Sequence, residues 1–189
     1  MDHFLQTLST SLLSVKEKLP LTAGLIASLF LIHFLNWMVG HRLNIFGIWP
    51  RKKWGWIGIP FSPFLHGNLA HLIFNALPLF IFSNLILLQG SKVFFSVSVD
   101  IIAIAGVLTW ALGRQGIHIG ASGLIMGYLG FILIGIYYKP SPLSWIVGVS
   151  CFYYFGGMLI HLFPAQDKRV SWEGHIFGFI SGIATAYMI

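Results

Sequence analysis

Polar residues are scarce along this chain and fall in clusters, and the stretches between clusters are apolar for about the length of a membrane crossing. A crossing helix needs about 20 mostly apolar residues at ~1.5 Å rise each. The pattern predicts six: Pro20 to Val39, Asn68 to Leu88, Val93 to Leu112, Ala121 to Tyr138, Pro142 to His161 and Gly174 to Ile189. Turn-forming runs separate them, such as Gln89-Gly90-Ser91, Gly113-Arg114-Gln115-Gly116 and Lys139-Pro140-Ser141-Pro142. Each stretch is apolar on nearly every face, as a helix in lipid must be. The expected architecture is all-α: a polytopic membrane protein built as a six-transmembrane-helix bundle, residues 20–189, after a short N-terminal segment, residues 1–19. That segment lacks the charged start, apolar core and small-residue cleavage site of a signal peptide. No long soluble domain is expected at either end, and no repeat of 20–50 residues is visible.

The first loop, Gly40 to Leu65, is long and mixed. It sets Phe46, Trp49, Trp54, Trp56, Phe61 and Phe64 around Arg51, Lys52 and Lys53. Aromatic and basic residues together suit the headgroup layer, so this loop is expected to lie in the interface and to contact membrane lipids, as anchored connector or more.

Composition agrees. Of 189 residues, 57% are hydrophobic and only 8% charged, against about a quarter charged in soluble domains. This excludes an ordinary cytosolic enzyme, a disordered chain and a nucleic-acid binder. The net charge of +6 reflects scarce acids rather than a basic groove. Cys151, the sole cysteine, lies in an apolar run and reads as core packing. The charge bias across the spans sets Lys16, Lys18, Lys92 and Lys139 against Arg42, Arg51, Lys52, Lys53, Arg114, Lys168 and Arg169. Taken alone it puts the second group in the cytoplasm.

In such a chain the intramembrane polar residues are informative, because each one costs free energy in hydrocarbon. His66, Asn68, His71 and Asn75 stand at the start of the second span, Gly120-Ala121-Ser122-Gly123 at the start of the fourth, and Glu173-Gly174-His175 at the start of the sixth. Even-numbered spans run in the same direction, so topology brings these clusters to one layer. That layer holds a nucleophile, Ser122, and a base, His175. Gly178 and Gly182 share a face with His175. Gly123, Gly127 and Gly130 form a stripe beside Ser122, and small residues so spaced let helices approach closely in lipid. His71 and Asn75, four apart, project from one helix face. They are either donors to an oxyanion or an interhelical hydrogen-bond pair. His66 does not share that face and is expected to support the first loop or the site rim.

Other chemistries lack their residues. There is no His-Glu-x-x-His run for zinc, so no metal site is expected. Two carboxylates for an aspartyl protease are missing, since only Asp100 lies within a span, about 12 residues from the end of the third, or roughly 18 Å from the layer of Ser122. Asp100 therefore reads as structural, and so does His33, mid-span and isolated. Glu173 is the one carboxylate near the base. His118 carries little signal. A transporter or channel with a His/Asn/Ser-lined pathway is the competing reading, but no inverted repeat supports it.

The blocks His66-Gly-Asn-Leu-Ala-His71-Leu-Ile-Phe74-Asn75, Gly120-Ala121-Ser122-Gly123, and Gly174-His175 with Gly178 and Gly182, in this order on spans two, four and six, resemble the rhomboid intramembrane serine proteases, most closely the compact bacterial GlpG type. The resemblance covers roughly residue 21 to the end of the chain. It implies a Ser–His dyad without a carboxylate: Ser122 as nucleophile, His175 as general base, and His71, Asn75 and the Ser122 backbone N–H as oxyanion donors. It implies no metal or cofactor, transmembrane proteins as substrates, termini in the cytoplasm and a site opening to the far side. The charge bias points the other way, and the resemblance is followed. No signal bears on oligomeric state. Where many members carry Trp-Arg in the first loop, this chain has Ile57-Gly58. Where bacterial relatives often carry tyrosine four residues after the nucleophile, it has Met126, whose thioether can contact an imidazole. The loop Leu162 to Trp172, with Phe163 and Pro164, is expected to cap the site and move to admit substrate.

Overall fold

The computed structural model describes residues 2–138, 140–163 and 171–189. Every expected span is a helix: α1 (Asp2–Met38), α2 (Leu69–Leu87), α3 (Ser91–Leu112), α4 (Ser122–Tyr138), α5 (Pro142–Phe155) and α6 (Trp172–Met188). Residues Lys16–Met38 of α1, together with α2 and α3, are long and apolar enough to cross a membrane, and α4 and α5 contain shorter apolar helices. Among the described residues the β pairing is a single isolated bridge between Ile48 and His118.

The helix ends follow from local chemistry. Asn68 caps α2, its side-chain oxygen accepting the His71 backbone N–H at 2.8 Å. Ser141 and Ser144 form a reciprocal capping box at the start of α5. Ser171 accepts the Gly174 N–H at 3.3 Å, which starts α6 at Trp172, two residues earlier than the apolar run suggests. α5 is shorter than expected. At Gly156-Gly157 it tightens into a 3₁₀ turn over Gly156–Leu162, because glycine makes the α-helix less favourable there. The largest difference is at the other end of the chain, where α1 continues through Pro20 back to Asp2. Residues 2–19 continue the helix of the first span. Leu5, Leu8 and Leu12 recur at helical spacing, and proline inside a helix removes one hydrogen bond without always ending it.

α4 is the hub. It contacts α2, α3, α5 and, most extensively, α6, and its stretch from Leu124 to Ile132 is buried throughout. This explains a helix apolar on every face. Cys151 of α5 is buried in the same core, as its apolar setting suggested. α1 packs on α2, where Asn84 Nδ2 donates to Thr22 Oγ1 at 3.1 Å and Lys18 Nζ donates to the Leu87 carbonyl at 3.0 Å.

The first loop folds as three short 3₁₀ turns, Arg42–Phe46, Gly55–Gly58 and Ser62–Phe64. Phe46, Trp54, Trp56 and Phe61 are exposed, as residues meeting a headgroup layer would be. Arg51 braces the loop: its guanidinium donates to the Gly113 carbonyl at 2.7 Å and its backbone N–H to the Trp110 carbonyl at 2.9 Å, at the C-terminus of α3. Trp110 Nε1 returns a bond to the Lys52 carbonyl at 3.0 Å. A cation at a helix C-terminus is favourable because unpaired carbonyls and the dipole's negative end gather there.

Candidate active site

Ser122 is the first residue of α4 and His175 lies in the first turn of α6. The two helices meet backbone to backbone beside them. A Cβ on Gly123 would stand 3.2 Å from the Gly174 carbonyl oxygen, and one on Gly127 would stand 3.1 Å from that of Gly178. A Cβ on Gly178 would overlap the Gly123 carbonyl, and one on Gly182 that of Gly127. The two glycine stripes thus interlock as the spacing predicted, and Ser122 and His175 flank the first rung of the seam. His175 is buried and Ser122 half-buried.

α2 brings the third cluster to the same place. A Cβ on Gly120 would stand 2.7 Å from His71 Cε1, 2.8 Å from His71 Nε2 and 3.6 Å from Asn75 Nδ2. Both side chains therefore point at the turn that leads into Ser122. That turn requires glycine for a second reason, since Gly120 has φ +117°, which L side chains rarely adopt. Asn75 is buried, and its Nδ2 pairs with no protein group among the described residues. A buried unpaired donor costs about 1–3 kcal/mol; Thr185 Oγ1 is unpaired as well among the described residues, and what sets Asn75 apart is its position. Here it faces the Gly120 turn that leads into Ser122, a placement from which it could donate to an oxyanion formed there.

His66 lies outside α2, between the Ser62–Phe64 turn and the Asn68 cap. It is wholly buried and its ring meets His71 edge-on at 5.1 Å. It thus lies against His71 from the first-loop side. Burial, with His71 as second cause, pushes its pKa down to about 4, so His66 is neutral. Met126 is buried in the apolar core.

Beside Ser122 is a cavity of about 60 Å³, lined in part by Ser62, Thr109, His118, Ser122, Ser171 and Gly174. It spans the first loop, α3 and the seam, is lined mostly by apolar side chains with the Ser62, Thr109, Ser122 and Ser171 hydroxyls among them, and is large enough for water.

Several features were not visible in the sequence. His118, which appeared to carry little signal, is buried and forms a joint. Its backbone exchanges two hydrogen bonds with Ile48, at 3.0 and 2.9 Å. Its Nδ1 lies 2.6 Å from Ser171 Oγ and its Nε2 2.9 Å from the Arg114 carbonyl. Glu173 pairs with Arg114 at 3.3 Å, and residues two apart on a helix, as it and His175 are, leave it on nearly opposite sides. His33 is not isolated either, since its ring lies 5.8 Å from that of His41. Asp100 lies half-buried within α3, and no group of three or more His, Cys, Asp or Glu among the described residues has metal-binding geometry. Of the expected capping loop, residues 164–170 lie outside the described residues.

A family model described as Rhomboid domain matches residues 52–189. The chain is also 34% identical over 172 residues to an uncharacterized protein of Mycobacterium tuberculosis, covering 87% of this chain and 72% of the relative. An uncharacterized protein of Mycobacterium leprae is 35% identical over 173 residues, covering 86% and 68%.

Proposed function

Since the chain belongs to the rhomboid family, a family of intramembrane proteases, we propose that it is a serine endopeptidase that hydrolyses peptide bonds in or near the transmembrane segments of other membrane proteins through a Ser122–His175 dyad. The observation that carries this reading is the unpaired, buried Asn75 Nδ2 aimed, with His71, at the Gly120 turn beside Ser122.

In the proposed mechanism, Ser122 Oγ attacks the scissile carbonyl carbon while the His175 imidazole takes the hydroxyl proton. The carbonyl oxygen becomes an oxyanion held by Asn75, His71 and the Ser122 backbone N–H, which is free at a helix start. Collapse breaks the C–N bond, and the imidazolium gives its proton to the leaving amine. A water, for which the cavity beside Ser122 has room, then loses a proton to His175 and attacks the acyl ester. The second tetrahedral intermediate releases Ser122, its proton returned, and the new carboxyl terminus. No step uses a metal or cofactor. Met126, four residues after Ser122 and buried, is assigned a supporting role. We place the protein in the bacterial inner membrane with cytoplasmic termini. The loop-side cations Arg51 and Arg114 are engaged by α3 and by Glu173, so they have work besides setting topology.

The test is cleavage of a single-span model substrate in detergent by wild type and Ser122→Ala, with fluorophosphonate labelling in parallel. Wild type cleaves and is labelled, and Ser122→Ala does neither. Labelling that persists in Ser122→Ala would remove Ser122 from the role, and His175→Ala must also abolish cleavage in a folded protein.

A further inference from the structure

We propose that Arg114, His118, Ser171 and Glu173 form a two-point clamp that positions the base helix against the nucleophile turn, with Glu173 as its principal positioning residue. The proposal rests on the serine-protease reading above and assigns these residues a part in it.

The clamp has two rungs. Arg114 Nε meets Glu173 Oε1 at 3.3 Å, and His118 Nδ1 meets Ser171 Oγ at 2.6 Å. The residues on one side, 114 and 118, lie in the segment that runs into Ser122. Those on the other, 173 and 171, lie in the segment that runs into His175. The order is antiparallel, 114 with 173 and 118 with 171. A single rung would leave the strands free to pivot about it, whereas two rungs at different heights fix both distance and rotation.

The hydrogen-bond roles can be assigned. The Arg114 carbonyl can only accept, so His118 Nε2 carries the proton and donates to it at 2.9 Å. Nδ1 of the neutral ring is then an acceptor, and the Ser171 hydroxyl donates to it. Ser171 Oγ meanwhile accepts the Gly174 N–H at 3.3 Å. One chain of bonds therefore runs from the Gly174 amide through Ser171 and His118 to the Arg114 carbonyl. Burial lowers the His118 pKa, which keeps the ring in the neutral form this chain needs.

The ion pair is no ordinary surface contact. Glu173 is buried, and its Oε2 has no partner among the described residues. A buried carboxylate is costly unless paired, although its place in the first turn of α6 is favoured by the helix dipole. The Gly178 and Gly182 rungs already hold the helices together below this level. Stability alone does not call for a buried charge at the open end of the seam. Placement does, because His175 is in the turn that the clamp grips, and small displacements of a reacting group cost rate steeply.

Glu173→Gln removes the charge and keeps the shape. The expected result is a fall in kcat of about 10-fold or more, by analogy with misplaced catalytic groups, with KM and melting temperature nearly unchanged and a matching fall in the rate of fluorophosphonate labelling. Arg114→Glu combined with Glu173→Arg reverses the pair and is expected to recover much of the lost kcat, and His118→Phe to lower kcat on its own. Wild-type kcat in Glu173→Gln overturns the clamp. If Glu173→Gln loses folding as well, the reversed pair decides: recovered kcat sustains the proposal, and restored folding without kcat overturns it. A wild type that neither cleaves nor labels overturns the serine-protease reading and the clamp with it. A wild type that is active, with Ser122→Ala inert and Glu173→Gln fully active, overturns the clamp alone.

Discussion

The α4–α6 seam and the first loop both hold the Ser122 layer, but by different means. In the seam, glycines bring main chain onto main chain, and the contact is made by the absence of side chains. In the loop, the grip comes from specific hydrogen bonds: Arg51 on the end of α3, Ile48 on His118, and the Ser62 carbonyl accepting the Gly120 N–H at 2.8 Å. The seam is therefore intolerant of added atoms at Gly178 and Gly182. The loop is tight at its own Gly47, Gly55 and Gly58, but it reaches the helices through a few bonds.

That contrast orders the expected effects of substitution. The largest is in the seam. Gly178→Leu sets a side chain into the Gly123 carbonyl, which cannot move without moving Ser122, and should cost about 3 kcal/mol or more and abolish cleavage. A folded, active Gly178→Leu in a thermal melt and substrate assay would break the contrast. Gly120→Ala comes next, where the two regions join. Its positive φ costs about 1–2 kcal/mol for a non-glycine residue, and its methyl displaces the His71 ring. We expect roughly a 10²-fold fall in kcat, the scale of one lost oxyanion donor, with a modest drop in melting temperature.

On the loop side, His66 sharpens the contrast through pH. Its folded pKa of about 4 lies below the ordinary value of about 6.5, so between these values the unfolded chain binds more protons. Stability from this group is complete above pH 6.5, falls by up to about 1.4 kcal/mol per pH unit through the window, and levels off below pH 4. Melts of Ser122→Ala across pH 4–7 should show this slope, and adding His66→Leu should flatten it. An unchanged slope would detach the effect from His66. The smallest effect belongs to Arg51→Ala. Losing a cation from an exposed helix end should cost about 1 kcal/mol or less, and Arg51→Lys should recover part of it in the same melts.

The same contrast explains what could be read in advance. The spans, the glycine stripes and the convergence of His71, Asn75, Ser122 and His175 on one layer follow from periodicity and from the direction of alternate helices, and both are written in the order of side chains. The loop's grip is not periodic. Nothing around Arg51 announces that its partners are carbonyls at the end of α3, about sixty residues away. His118 seemed idle because its importance lies in its main chain and in a serine, Ser171, that looks like a mere turn residue. Glu173 was legible as the only carboxylate near the base. That it points to Arg114 required the helix to start at Trp172. Pro20 misled for a related reason: it is a common first residue of a helix, and here it is an interior one.

The interlocked seam also bears on biosynthesis. Transmembrane helices emerge in chain order, so α4 reaches the bilayer before α6 exists to cover it. Until then the stripe Gly123, Gly127 and Gly130 faces lipid, and the serine stands in a chain that has no imidazole from α6. On the dyad proposed above, the nascent chain lacks its base until the last helix closes the stripe.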